Sequence, residues 1–349
     1  MTGWLSQLST ILSGGSRAVR IVVAEAEGST PREAGAAMIV TRGTTHGSIG
    51  GGRLEHEAVA AARKLLLASQ GSWQRELRHV PLGPALGQCC GGRVTILLEP
   101  YGPAEAETVV AAAAMSSAAI VARPTAGGTA FLAIADRKQR PDLPLPALRA
   151  VRDMLSGVRP PQATLIRLPK GMAPWLLEPA RRPRARLFLY GAGHVGRAVV
   201  RALEPLPFDI TWIDADRSRF PASAPPGVEA IADTSPARLA AEAPAGAFHL
   251  VMTFSHPLDL DICHAILRRG TFSYLGLIGS VTKAMRFRKR LRESGIPPTD
   301  INRLVCPIGL AGVPGKEPAM IAAGVAADLL MRVSAATELA SGGRETGGQ

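Results

Sequence analysis

The apolar residues of this chain change their period several times, and each change marks an element. Near the start, Trp4, Leu5, Leu8, Ile11 and Leu12 recur at helical spacing and predict one packed helix face. Residues 18–24 form a largely apolar, β-branched run that predicts a strand. Residues 38–41 and 94–98 predict two more, the last closed by Glu99-Pro100. Between them Leu54, Ala58, Ala61, Ala62 and Leu65 return to the helical period. Further on, the pattern predicts a helix over 104–117, short strands over 119–122 and 131–134, a helix carrying Leu148, Val151, Met154 and Leu155, and strands over 163–168 and 175–178.

From residue 187 strands and helices alternate. A strand over 187–190 is followed by a helix with Val195, Val199, Val200 and Leu203 on one face, then by a strand over 210–213. Strands over 228–231, 249–254 and 274–278 follow. They are interleaved with helical stretches over 236–241 and 259–269, and a last helix covers 319–333. This alternation predicts a parallel sheet wound on both faces, with any ligand beyond the carboxyl ends of the strands. Arg181, Arg182, Arg184 and Arg186 stand among prolines without apolar periodicity and mark a linker over 181–186. The expected organisation is a first domain over 1–180, a second over 187–340, and a disordered Gly-rich tail over 341–349.

Composition narrows the function. With 349 residues and 46% hydrophobic positions, two ordinary cores can be buried. The formal charge of +12 draws anionic partners: a phosphorylated ligand, an acidic protein or nucleic acid. Aromatics at 4% disfavour a base-stacking platform, and no helix-turn-helix, zinc-finger or RNA-recognition signature occurs, so a nucleic-acid partner is not expected. No apolar run reaches the roughly 20 residues of a membrane span, and the first residues lack the features of a signal peptide, so a soluble cytoplasmic protein is expected. Four cysteines, Cys89, Cys90, Cys263 and Cys306, are too few for a disulfide scaffold and include no Cys-x-x-Cys pair.

Three glycine loops carry the candidate chemistry. In Gly191-Ala192-Gly193-His194-Val195-Gly196, an apolar strand runs into a helix through a Gly-x-Gly-x-x-Gly turn. Gly191 allows the reversal, Gly193 lets a phosphate approach the main chain, and Gly196 lets helix and strand pack closely. His194 sits inside this turn. Asp214 follows about 20 residues later, where a ribose hydroxyl is held in dinucleotide sites. The turn reads as a nucleotide-like or pterin-like site, the plain alternative being a strand–helix turn with no ligand. Gly50, Gly51 and Gly52 precede a helix and form either a second anion cradle or a structural bend. In Gly87-Gln88-Cys89-Cys90-Gly91-Gly92-Arg93, glycines expose two neighbouring thiols, and nearby amides and Arg93 favour the thiolate. That is the chemistry of a soft-metal ligand or sulfur carrier, against two small buried residues at a strand start. Ser280 is placed to cap the next helix, and Lys283 on that helix is a candidate anion ligand.

Taken together, these stretches resemble the XdhC/CoxI family of molybdenum-cofactor chaperones. The matching segments are Glu27-Gly28-Ser29-Thr30-Pro31-Arg32, Gly47 through Glu55, Gly87 through Gly92, Gly191 through Gly196, Gly276-Leu277-Ile278-Gly279-Ser280 and Pro307-Ile308-Gly309-Leu310. The resemblance implies an N-terminal α+β family domain followed by a C-terminal Rossmann-like domain. It implies a protein that holds the molybdenum cofactor (molybdopterin), supports its sulfuration and delivers it to a xanthine dehydrogenase-type apo-enzyme, with a cysteine desulfurase as second partner and no turnover of its own. One or both of Cys89 and Cys90 would then contact molybdenum or relay sulfur. Two other readings stand beside it: an NAD(P)-dependent oxidoreductase, favoured by Asp214, and a scaffold with a vestigial nucleotide fold. A homodimer fits the expected exposed apolar edges.

Overall fold

The computed structural model describes residues 3–68, 73–83, 91–115, 119–128, 130–139 and 141–342. The chain divides into two compact units, one ending at Pro183 and one starting at Arg184.

The first unit is α+β. Its elements run α1 (Trp4–Ser13), β1 (Ala18–Glu27), β2 (Ala37–Val40), β3 (Thr45–Gly47), α2 (Gly52–Leu67), β4 (Glu76–Pro81), β5 (Arg93–Tyr101), α3 (Ala106–Ala114), β6 (Ile120–Pro124), β7 (Leu132–Ile134), α4 (Leu145–Leu155), β8 (Thr164–Ile166) and β9 (Trp175–Pro179). Two antiparallel sheets result, β3-β2-β1-β5-β4 and β7-β6-β9-β8. Alternation along β1 decides what each face touches. Val19, Ile21 and Val23 meet the apolar stripe of α2, made of Leu54, Ala58, Ala61, Ala62 and Leu66. Val22 and Ala24 point the other way and pack with Leu97, Leu165 and Leu176, joining the two sheets.

Arg20 shares that second face, and around it lies the most unusual feature of the unit. Its guanidinium reaches Glu99 at 2.9 Å, directly across the β1–β5 ladder, and Glu178 on β9 at 2.8 Å. Arg123 on β6 binds both carboxylates as well, and Arg75 lies 3.4 Å from Glu99 while donating to the Gly128 carbonyl. All five side chains are buried. Burial pushes the Glu99 carboxyl up, but Arg123, Arg20 and Arg75 outweigh it and hold the group at about 2. The Trp4 ring covers Arg20, 4.0 Å from the guanidinium to the ring centroid, and also faces Arg123.

The second unit is α/β and doubly wound. It comprises β10 (Ala185–Tyr190), α5 (His194–Leu203), β11 (Phe208–Asp214), β12 (Val228–Ala232), α6 (Pro236–Glu242), β13 (Phe248–Val251), α7 (His256–Arg269), β14 (Tyr274–Leu277), α8 (Val281–Glu293), α9 (Pro298–Ile301), β15 (Leu304–Val305) and α10 (Pro318–Gly342). The six strands lie parallel in the order β12-β11-β10-β13-β14-β15. Leu187, Leu189 and Leu250 face α5 and α10, whereas Tyr190, Val251 and Leu277 face α7 and α8. The winding reverses between β10 and β13, which opens a crevice at their carboxyl ends.

The pattern of apolar residues anticipated most of these elements. It missed β3, β4, the four-residue α9 and the two-residue β15, which are short and carry few apolar positions. The first strand of the second unit starts at Ala185, inside the stretch read as linker, and Arg184 there donates to the Phe208 carbonyl. The last helix extends to Gly342; the remainder of the expected tail lies outside the described residues.

Two predictions follow from these interiors. Glu99→Gln leaves three buried guanidiniums to share the Glu178 carboxylate and should lower unfolding free energy by about 3–5 kcal/mol in a urea titration. The second concerns His249 on β13, which is buried against Phe188 and Tyr190 and held at about 3, by burial first and the Arg269 charge second. Below its ordinary value of 6.5 the unfolded chain takes up a proton that the folded chain refuses until about pH 3. Stability contributed by this residue therefore falls as pH drops through that window. His249→Phe should flatten the loss, read as the difference between the two proteins in unfolding free energy from about pH 7 to pH 4.

Candidate functional site

The glycine turn after β10 is built by steric necessity at two positions and left open at a third. Gly191 has φ 121°, and a Cβ there would fall on the Met252 carbonyl of the neighbouring strand. A Cβ on Gly196 would fall on the Gly191 carbonyl, so the helix can sit this close only without a side chain. Gly193 is different: it is exposed, and a Cβ there would meet nothing within 4 Å. As N-cap of α5 it offers no side-chain cap to the first amides of the helix. His194 is the first helical residue and is exposed. The turn is pinned from behind by Trp212, whose Nε1 donates to the Gly191 carbonyl at 3.0 Å.

Asp214 lies at the end of β11 as expected but not with the expected freedom. It is 4% exposed. Its Oδ2 accepts from the Ala192 amide at 2.6 Å and its Oδ1 from the Asp216 amide at 3.0 Å. The carboxylate therefore secures the glycine turn from behind.

Beyond β13 and β14 a second set of side chains interlocks. Asp259 on α7 is fully buried. Its Oδ1 accepts from the Thr253 amide and hydroxyl at 3.0 and 2.7 Å, and its Oδ2 lies 2.6 Å from Lys283 Nζ. Lys283 also donates to the Ile278 carbonyl at 2.9 Å. Its ammonium thus ties the β13 and β14 loops together. Ser280 caps α8 by accepting from the Lys283 amide at 3.2 Å. Cys306 follows β15, with its thiol 3.9 Å from the Ser280 carbonyl; burial pushes that thiol up.

In the first unit, three of the glycine-bearing motifs meet. Gly50 packs on Pro31, with a hypothetical Cβ 2.7 Å from its ring, and Gly92 fits between the carbonyls of Glu27 and Ser29. The Gly92 amide donates to Ser29 at 3.2 Å. The helix start at Gly50, Gly51 and Gly52 is nevertheless filled from within. Glu55 accepts from the Ser48 hydroxyl at 2.7 Å, the Ile49 amide at 3.0 Å and the Gly51 amide at 3.1 Å. Burial raises the Glu55 carboxyl, and the Ser48, Ile49, Gly51 and Gly50 donors together bring it below its ordinary value. The expected anion cradle already holds the chain's own carboxylate. Gly91 is exposed, with no atom of the described residues within 4 Å of a Cβ placed there, and Gln88, Cys89 and Cys90 lie outside the described residues. Among the described residues no group of three or more His, Cys, Asp or Glu could hold a metal ion.

Sequence reasoning missed Asp259. Its signal was present: Asp259, Ile262, Cys263 and Ile266 share one stripe of α7, and a carboxylate on an otherwise apolar stripe demands a buried partner.

Residues 187–329 match the model of the XdhC Rossmann domain, and residues 11–78 match that of the XdhC and CoxI family. The chain belongs to the XdhC and CoxI family. The Rossmann-domain match contains the glycine turn, Asp214, Ser280 and Lys283; the other contains the Gly50–Gly52 loop and Glu55. A crystal structure described as a xanthine dehydrogenase from Bacillus halodurans is similar in fold, with TM-score 0.75 and 20% identity over 97% of both chains. The uncharacterized protein YqeB of Escherichia coli K12 is 30% identical over 148 residues, which is 42% of this chain but only 27% of that relative's length. No described helix is long and apolar enough to cross a membrane.

The steric account of the turn is directly testable. Gly193→Ala should leave the thermal transition of the protein unchanged. Gly196→Ala forces α5 off its strand and should lower the transition sharply in a calorimetric scan.

Proposed function

We propose that this XdhC-family protein is a cytoplasmic accessory factor of xanthine dehydrogenase-type molybdoenzymes, which holds the molybdenum cofactor, supports its sulfuration and inserts it into the apo-enzyme. Family membership supports the accessory role. The observation that carries the holding role is the open Gly193 position at the mouth of a doubly wound sheet, where a phosphate can reach bare backbone. The net charge of +12 favours the same anionic guest.

The residues fit the phosphate-bearing end of such a cofactor at Gly193 and His194, with Gly191 and Gly196 shaping the turn. In the other unit, and as a separate proposal, Cys89 and Cys90 carry the thiols chemically matched to a soft metal or to sulfur relay. Bound cofactor supplies molybdenum redox chemistry to the recipient enzyme; the chain's own part is to bind, orient and shield it. A cysteine desulfurase is the sulfur source in this reading, and a homodimer is its working form. The rival nicotinamide oxidoreductase draws its support from Asp214, one oxygen of which accepts from the Ala192 amide and the other from the Asp216 amide.

The test is purification with the cofactor supplied, followed by molybdenum content, pterin fluorescence after oxidation, and NAD binding. Molybdenum and pterin in stoichiometric amounts without NAD are expected. NAD bound with substrate-dependent reduction would overturn the reading. The Cys89→Ala, Cys90→Ala double variant should retain less molybdenum and fail to activate the apo-enzyme; normal retention and activation would remove the thiols from the account.

A further inference from the structure

Phe254, just past β13, is 65% exposed, and it is the one aromatic ring among the strongly exposed large apolar side chains of the described residues. One of its faces is covered. The guanidinium of Arg219 lies over it, 4.0 Å from the ring centroid. Arg219 follows β11, and the strand between β11 and β13 is β10. The pair therefore meets across the end of β10, over the mouth of the crevice where the winding reverses.

The two ends of Arg219 are held differently. Its backbone carbonyl is fixed by Arg197, through Nε at 3.1 Å and through Nη2. Among the described residues its guanidinium has only distant carboxylates, Asp214 and Asp216, each 3.8 Å away and beyond hydrogen-bond reach. An anchored backbone thus presents a loosely held, planar cation against an exposed ring. A guanidinium binds phosphate oxygens in a two-pronged fork, and an aromatic face accepts a flat heterocycle in place of a stacked cation. The Arg219 charge also offsets the nearby carboxylates of Asp214 and Asp216, which would otherwise repel an anion.

We propose that Arg219 and Phe254 form a clasp that receives a phosphorylated heteroaromatic ligand, the ring on Phe254 and the phosphate on Arg219. This rests on the cofactor-holding reading for one source of that chemistry, a pterin phosphate; the other source is a nucleotide phosphate.

The experiment titrates the full-length protein with molybdenum cofactor under anaerobic conditions and, separately, with NADP+, by calorimetry. Wild type is compared with Arg219→Ala, Arg219→Lys, Phe254→Leu and Phe254→Trp. Circular dichroism and the thermal transition verify that each variant is folded. Arg219→Ala and Phe254→Leu should weaken cofactor binding at least about tenfold, and Phe254→Trp should stay within about threefold of wild type. Arg219→Lys keeps the charge but not the fork and should fall between them. Unchanged cofactor affinity in folded Arg219→Ala and Phe254→Leu would overturn the clasp and leave cofactor holding intact. NADP+ binding with the same losses, and no cofactor binding, would sustain the clasp and overturn cofactor holding. No binding of either probe to wild type would overturn the clasp.

Discussion

Backbone amides in a tight turn must find acceptors, and the glycine loops before α5 and α2 each answer that demand with a carboxylate of their own. Asp214 takes the Ala192 amide, and Glu55 takes those of Ile49 and Gly51. Everything near the two loops depends on this choice. In the second unit the acid is set behind the turn, so the front, at Gly193, stays bare. In the first unit the acid sits on the loop amides themselves, which gives Gly50–Gly52 a structural task and moves the open backbone to Gly91. Two motifs that look alike as strings of glycine thus differ in what they leave for a ligand.

The same economy appears at the ends of β13 and β14. A buried Asp259 could not be tolerated alone. Lys283 answers it, and the pair binds the two loops into one rigid edge beside the crevice. The first unit solves a related problem on a larger scale. Three arginines and two glutamates lie in the seam between its sheets, with Trp4 covering the excess positive charge through its ring. An apolar seam of similar volume would serve stability as well. The ionic one adds a requirement of register, because Arg20 must stand opposite Glu99 for the network to close.

How far the sequence foretold this depends on the kind of signal each feature leaves. Strands buried on both faces are continuous apolar runs, so β10, β11, β13 and β14 were readable, and their alternation with helices gave the parallel sheet. The glycine turn was readable because Gly191 and Gly196 can be nothing else in that geometry. Partner choice was not readable. Whether Asp214 turns toward a ligand or toward Ala192, and whether Lys283 reaches outward or toward Asp259, is set by distances of a few ångströms between segments far apart in sequence. Arg20 stands within an apolar strand, and its partners lie 79 and 158 residues away. The meeting of Arg219 with Phe254 needed the strand order, which no local pattern encodes.

The bond from Trp212 to the Gly191 carbonyl gives the protein an optical property. Indole emission is sensitive to the polarity and hydrogen bonding of its ring, and this indole is tied to the very peptide that shapes the turn. Any guest that shifts the turn must disturb that fluorophore. The molecule therefore carries an intrinsic dye at its crevice, readable in solution without a label.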